Sequence, residues 1–381
     1  MAKAVCPGFS SQLRIDLGVI RANYRALAGR AAPARCGAVV KANAYGLGTA
    51  KVAPTLHREG CRDFFVAQLC EAFDLLDAIG VGSTIFILNG LDPGGEAACA
   101  EWGFVPALNS ESQVARWRAL ARTREKALPA ALQIDSGMSR LGLDPAAAAG
   151  LADDPAFARE VKLELVMTHL ACADEPDHAA NRSQLDRFLD VRRRFPAVPA
   201  SIANSGGVLL PPRYHLDLVR PGIALFGAPP EGHAAAGLQP VLSLDARVLQ
   251  IREIAAGDGV GYGLDYIASA PRRLATVGIG YGDGWPRGLG GVGAAWFKGR
   301  RLPIVGRVSM DSLTVDITGL PRGAIEEGGF VELIGRSQSL ARVAHDAGTI
   351  PYEILTRLGT RHQRIYLDGD QAETVAAGAA R

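Results

Sequence analysis

Ala38-Val39-Val40-Lys41-Ala42-Asn43-Ala44-Tyr45-Gly46-Leu47-Gly48 runs an apolar strand into a lysine and then into a glycine-rich turn. A lysine placed where a buried strand opens into a loop is poorly solvated, so its amine can act as a nucleophile of the Schiff-base kind. The same residue also fits a solvated lysine that merely ends a strand. The turn lacks the G-x-G-x-x-G spacing that an open, doubly wound sheet carries after its first strand. That points to another parallel architecture.

Working outward, short apolar runs recur at 37–40, 63–67, 84–88, 104–108, 131–134, 163–168, 199–203 and 215–219. Between most of them lie segments of helical character, such as 111–123, 145–151 and 184–195. Strands alternating with helices mean a parallel sheet. Eight such units closing on themselves make an N-terminal (β/α)8 TIM-type barrel, an α/β fold. The pattern changes near 232–237. Beyond it come alternating runs at 242–251, 273–279, 303–308, 313–317 and 330–334, with helical character returning at 339–347 and 351–358. This predicts a C-terminal mostly-β domain. The expected domains are 1–236 and 237–381.

The composition narrows the class. With 381 residues, two domains are the prior. Hydrophobic residues make up 48% and charged residues 21%, the profile of a soluble globular protein. A net charge of +2 gives no support to capture of nucleic acid or of an anionic membrane. The cysteines Cys6, Cys36, Cys61, Cys70, Cys99 and Cys172 form no CxxC pair, so structural zinc is not expected. Scattered single thiols suit a reducing compartment. The start of the chain lacks the apolar core of a signal peptide, and no apolar run nears the ~20 residues of a spanning helix. A cytoplasmic protein is expected.

Barrel active sites sit at the carboxyl ends of the strands. Lys41 ends the first run, and Asp135 and Arg140 follow the fifth. His169 ends the sixth, Asn204 and Ser205 follow the seventh, and Arg220 and Gly222 follow the eighth. Any one of these residues fits a structural role; their joint placement at one rim points to a site.

At this point the motifs match a family. The chain resembles alanine racemase over nearly its whole length. The residues that carry the resemblance are 40–46 (VKANAYG), 135–142 (DSGMSRLG), 168–171 (THLA), 203–205 (ANS) and 220–223 (RPGI) in the first half. The second half adds 261–263 (GYG), 280–284 (GYGDG), 306–311 (GRVSMD) and 351–353 (PYE). The resemblance implies a pyridoxal 5′-phosphate enzyme that interconverts L- and D-alanine, with D-alanine supplied for peptidoglycan. Lys41 would carry the cofactor as a Schiff base. Tyr45, Ser205, Tyr352 and the backbone amides of Gly222 and Ile223 would hold its phosphate, with His169 and Asn204 among the cofactor contacts. A glycine permits close backbone approach and free N–H groups suit an anion.

Racemisation removes an α-proton from one face and returns one to the other, which two bases on opposite faces accomplish directly. The resemblance assigns Lys41 to the D-enantiomer and Tyr262 to the L-enantiomer. In the family that tyrosine reaches the partner subunit's barrel, so a homodimer with shared sites is implied. A phenol is a poor base at neutral pH and needs positive neighbours. The resemblance places His169 between Tyr262 and Arg220 as that network, and sets Arg220 against the cofactor's pyridine nitrogen. Arg140 would contact the cofactor's phenolic oxygen and the substrate carboxylate. Tyr281, Met310 and Asp311 would narrow the substrate entrance.

The sequence departs from the family at Gln133. Many members have a carbamylated lysine two residues before the aspartate of the DxGMxR segment, and its negative charge steadies the arginine. Glutamine cannot be carbamylated. A small anion such as chloride near Arg140, or a direct Gln133–Arg140 contact, is expected instead. A serine or broad-specificity racemase would share Lys41 and Tyr262 and differ only in the pocket. A related decarboxylase fits less well, because such enzymes usually set a carboxylate on the pyridine nitrogen. A barrel-only cofactor carrier leaves the second domain unexplained.

Overall fold

All eight apolar runs of the first half contain strands. The computed structural model describes residues 8–228, 237–369 and 371–375. Cys6, and all of 232–237 except Gly237, where the sequence pattern changes, lie outside them. Ala38–Val39, Asp63–Val66, Thr84–Ile87, Val105–Leu108, Leu128–Gln133, Val161–Met167 and Ala200–Ser201 pair in that order as one parallel sheet. Leu218–Val219 closes it. That strand pairs in parallel with Arg35–Cys36, immediately before the first strand. On its other side Asp217 and Arg220 donate backbone N–H groups to Ala200 O (3.1 Å) and Ala203 O (2.9 Å). Gly37 sits at the seam. A Cβ there would stand 2.8 Å from Asp63 O, so only glycine lets the strands approach.

The barrel strands are largely apolar, as expected where both faces of a parallel sheet are covered, though Lys162 and Glu164 interrupt Val161–Met167 near its start. Phe65 and Phe86 stack with centroids 4.6 Å apart. Helix starts carry their own acceptors. Ser110 caps Glu111–Thr123, Asp144 caps Pro145–Asp153, and Asp154 caps Pro155–Glu160. The helical segment expected at 184–195 lies at Ala179–Arg192.

Two compact units emerge from the contacts. One comprises Ile20–Ala44 and Gly48–Gln239; the other comprises the residues through Val19, Tyr45–Leu47 and those from Pro240 onward. The second is built on the strand Leu242–Ile254, whose alternating burial faces one side to the core. It pairs antiparallel with Ser11–Asp16, Arg272–Val277 and Phe330–Ile334. Ser11–Asp16 also pairs in parallel with Gln363–Asp368, so the N-terminal strand lies inside this sheet. The run at 303–308 is not a strand. Arg300–Pro303 pairs with Ala294–Phe297 as a hairpin, and after Pro303 only Ile304 makes a bridge, to Val315. Residues 305–308 instead form a loop closely approached at Gly306, where a Cβ would meet Val260 O at 2.8 Å. Among the described residues no helix is long and apolar enough to cross a membrane.

Candidate active site

Lys41 stands where the first barrel strand ends. Val40 donates its N–H to Phe65 O (2.9 Å), which holds the strand to its neighbour up to that point. Then Ala42, Asn43, Ala44 and Tyr45 all adopt left-handed conformations, with φ between 52° and 56°. Each such residue without glycine costs roughly 1–2 kcal/mol. Local bonds offset the strain. Ala42 N–H donates to Glu71 Oε1 (2.6 Å), Thr49 N–H to Asn43 Oδ1 (2.7 Å), and Gly48 N–H to Asn43 O (2.9 Å). Burial holds the Lys41 amine below the ordinary lysine value; the Arg140 charge adds to this and Glu71 opposes it. Lys41 is half-buried rather than fully solvated.

Arg220 follows the eighth strand and is 3% exposed. Its Nη2 donates to Thr168 O (2.7 Å) and its Nη1 to Ser201 Oγ. Among the described residues it has no acidic partner. Burial lowers it to about 10, which leaves it charged near neutrality. His169 Nδ1 lies 3.5 Å from Arg220 Nη2, and His169 Nε2 lies 3.3 Å from Asn204 Nδ2. Burial first, then the charges of Arg220, Arg140 and Lys41, push the imidazole down to about 3. His169 is therefore a neutral member of this cluster, and Arg220 supplies its charge.

Asn204 is fixed by its own bonds: its Oδ1 accepts Gly207 N–H (2.9 Å) and its Nδ2 donates to Leu170 O (3.3 Å). Ser205 Oγ accepts the N–H of Gly222 (2.8 Å) and of Ala224 (3.3 Å). Ser205 thus fastens the 222–224 turn, and the Gly222 amide is engaged with it. A Cβ at Gly206 would stand 2.7 Å from Ala173 O, so this rim of the barrel is closely packed.

Asp135 organises the turn that carries Arg140. Its Oδ1 accepts the backbone N–H of Gly137 (2.9 Å), Met138 (2.9 Å) and Ser139 (3.1 Å). Burial raises its carboxyl, but these three donors outweigh burial and hold it below the usual range. Arg140 is exposed, and among the described residues it makes no ion pair. Gln133 does not contact it. The Gln133 amide donates instead to Leu141 O (3.1 Å), which overturns the expected direct contact.

The second unit holds the remaining residues. Tyr45 is buried with its ring 6.2 Å from that of Tyr352. Tyr281 N–H donates to Ser309 O (3.1 Å) and Gly282 N–H to Met310 O (2.8 Å), so the segments bearing Tyr281 and Met310 form one hydrogen-bonded block. Arg361, which the sequence reading missed, cross-links this block: Nη1 lies 2.8 Å from Asp311 Oδ1 and Nε 3.1 Å from Asp283 Oδ1. No local sequence signal marks a pair 50 residues apart. Tyr262 stands at the tip of a separate hairpin, 72% exposed.

A closed barrel with a half-buried lysine and a buried guanidinium at one rim, followed by a strand-rich unit, defines a lysine-centred barrel enzyme class. The chain belongs to the alanine racemase family. The family's N-terminal domain matches residues 15–230 and its C-terminal domain matches residues 241–366. A catabolic alanine racemase of Agrobacterium fabrum is 48% identical over 97% of this chain and 95% of its own length. An alanine racemase of Brucella canis is 49% identical over 93% of both. Among solved structures, alanine racemase from Bartonella henselae with covalently bound pyridoxal phosphate superposes with a TM-score of 0.91. It is 44% identical and is matched over 95% of this chain and all (100%) of its own.

Proposed function

We propose that this protein is a pyridoxal 5′-phosphate-dependent racemase that interconverts L- and D-alanine with two bases, Lys41 and Tyr262. The observation that carries the reading is Lys41, a half-buried lysine at the end of a barrel strand whose amine burial holds below the ordinary lysine value. The donor set fits the cofactor. A depressed amine attacks an aldehyde readily. Arg220, buried without an acidic partner among the described residues, offers a fixed cationic donor to an acceptor nitrogen of an aromatic ring. Tyr45, Ser205, Tyr352 and Ile223 would hold the phosphate, joined by the Gly222 amide on exchanging its bond to Ser205 Oγ for one to the phosphate, with His169 and Asn204 beside the ring. When bound, the cofactor draws electrons from the α-carbon of the amino acid joined to it and so acidifies the α-proton.

Lys41 exchanges the proton on the face of D-alanine, and Tyr262 exchanges it on the face of L-alanine. Arg220 donates but cannot accept, so it would hold a cofactor ring nitrogen unprotonated and keep the cofactor's electron withdrawal modest. That favours return of the proton over loss of the amino group. Arg140 would hold the substrate carboxylate. Tyr281, Met310 and Asp311 would restrict the side chain to a methyl group. Size discrimination of this kind is worth only ~1–3 kcal/mol per methylene, so serine is expected to leak through.

The exposure of Tyr262 (72%), Met310 (54%) and Tyr281 (43%) supports a homodimer in which each site is shared. The protein is expected in the cytoplasm, acting on a small molecule without a nucleic-acid or membrane partner, with domains at 1–236 and 237–381. D-alanine would feed peptidoglycan. The catabolic relatives at 48% and 50% identity favour alanine breakdown as a second reading. Exchange of α-protons in deuterated water, with the cofactor-loaded protein and alanine, serine or lysine, tests the reaction. Exchange with inversion that is far fastest for alanine supports it. Equal exchange of all three indicates a broad-specificity racemase, and no exchange refutes a racemase.

A further inference from the structure

The hairpin that carries Tyr262 is thin. Gly259–Val260 pairs with Tyr266–Ile267 through two residue pairs, and Tyr262–Leu264 makes a single 3-10 turn between them. Gly261 (φ 71°) and Gly263 (φ 74°) flank the tyrosine, so its backbone is permissive on both sides. The hairpin base is anchored by packing: Val260 clusters with Leu274 and Val305. The tip has a different grip. Arg307 forks onto Asp265, with Nη2 2.9 Å from Oδ1 and Nε on Oδ2. The turn lies against this fork. A Cβ at Gly263 would stand 3.0 Å from Asp265 Oδ1 and 3.2 Å from Arg307 Cζ.

Both side chains of the pair are 44% exposed. An exposed ion pair adds little to stability. A planar two-point fork does fix direction, however, and it joins the tyrosine's turn to the 305–308 loop. We infer that Arg307 and Asp265 are positioning residues that set the approach of the Tyr262 phenol to its substrate. The inference rests on Tyr262 being the base for L-alanine. Proton transfer is steep in distance, so release of the tip is expected to lower turnover by roughly tenfold.

Asp265→Ala and Asp265→Glu in the cofactor-loaded protein test it. Hydrogen–deuterium exchange of segment 258–268, without substrate, is expected to rise at least about threefold in Asp265→Ala and to stay near wild type in Asp265→Glu, which keeps the fork. With α-deuterated substrates, Asp265→Ala should raise the primary isotope effect from L-alanine and lower it from D-alanine. The Tyr262 step would then limit turnover more and the Lys41 step less. Asp265→Glu should restore both. Unchanged segment exchange, or faster exchange without the opposed isotope effects, overturns the positioning role. Separately, a Tyr262→Phe variant that racemises at the wild-type rate overturns the assignment of Tyr262 itself, whatever the fork does to segment exchange.

Discussion

Arg220 Nη2 stands 3.5 Å from His169 Nδ1, while Asn204 Nδ2 faces the other ring nitrogen at 3.3 Å. A neutral ring can accept from one of these two donors whereas imidazolium can accept from neither, and burial with three nearby cations makes imidazolium costly. His169 is therefore neutral, and Arg220 carries the positive charge.

This neutrality predicts an acid-side stability effect. The folded value near 3 lies below the ordinary 6.5, so the unfolded chain binds the extra proton between them. The contribution is full above about pH 6.5 and is lost as pH falls toward 3. Urea unfolding of wild type and His169→Gln between pH 4 and 7 should show a shallower slope in the variant, by up to about 1.4 kcal/mol per pH unit. Identical slopes would contradict a neutral His169.

Arg220→Glu should divert the reaction. A carboxylate opposite the ring nitrogen lets that nitrogen keep a proton, which strengthens electron withdrawal. Pyruvate formed from alanine should rise relative to racemisation. No rise in pyruvate would remove the argument from donor-only arginine.

Gln133 has a defined task in this chain, the bond from its amide to Leu141 O. Gln133→Leu should lower stability by about 1 kcal/mol through that lost bond and loosen the Arg140 turn. The Michaelis constant for alanine should rise more than turnover falls. Chloride titration is the companion measurement: a KM that drops with chloride marks an anion beside Arg140, and a flat response removes that expectation.

Gly46 is irreplaceable on geometric grounds. Its φ is +81°, and a Cβ would stand 2.5 Å from Leu355 O. The surrounding turn is tied down, with Arg364 Nη1 donating to Gly46 O (2.6 Å) and Tyr366 Oη to Leu47 O (2.8 Å). Gly46→Ala should therefore cost roughly 3 kcal/mol or more, read as a shift in the denaturation midpoint. A midpoint within error of wild type would show that the turn can relax.

The barrel was legible because each buried strand writes a short apolar run between helical segments, and the polar residues ending those runs mark the rim. Lys41, His169 and Arg220 were found that way. Other features leave no local trace. Nothing in Ser11–Asp16 announces partners at Leu242–Ile254 and Gln363–Asp368, because strand pairing is a long-range choice. The left-handed run at Ala42–Tyr45 contains residues that disfavour it, so only the tertiary bonds around Asn43 and Glu71 reveal it. The Arg361 and Arg307 ion pairs join residues far apart in the chain, and charge alone does not name its partner.

The most direct test follows the α-proton of each alanine enantiomer separately in deuterated water, using Tyr262→Phe loaded with cofactor. With Lys41 intact and the phenol gone, D-alanine should exchange its α-proton without inversion, while L-alanine should exchange at a small fraction of the wild-type rate. Exchange of both enantiomers at wild-type rates, with inversion, would contradict the two-base account.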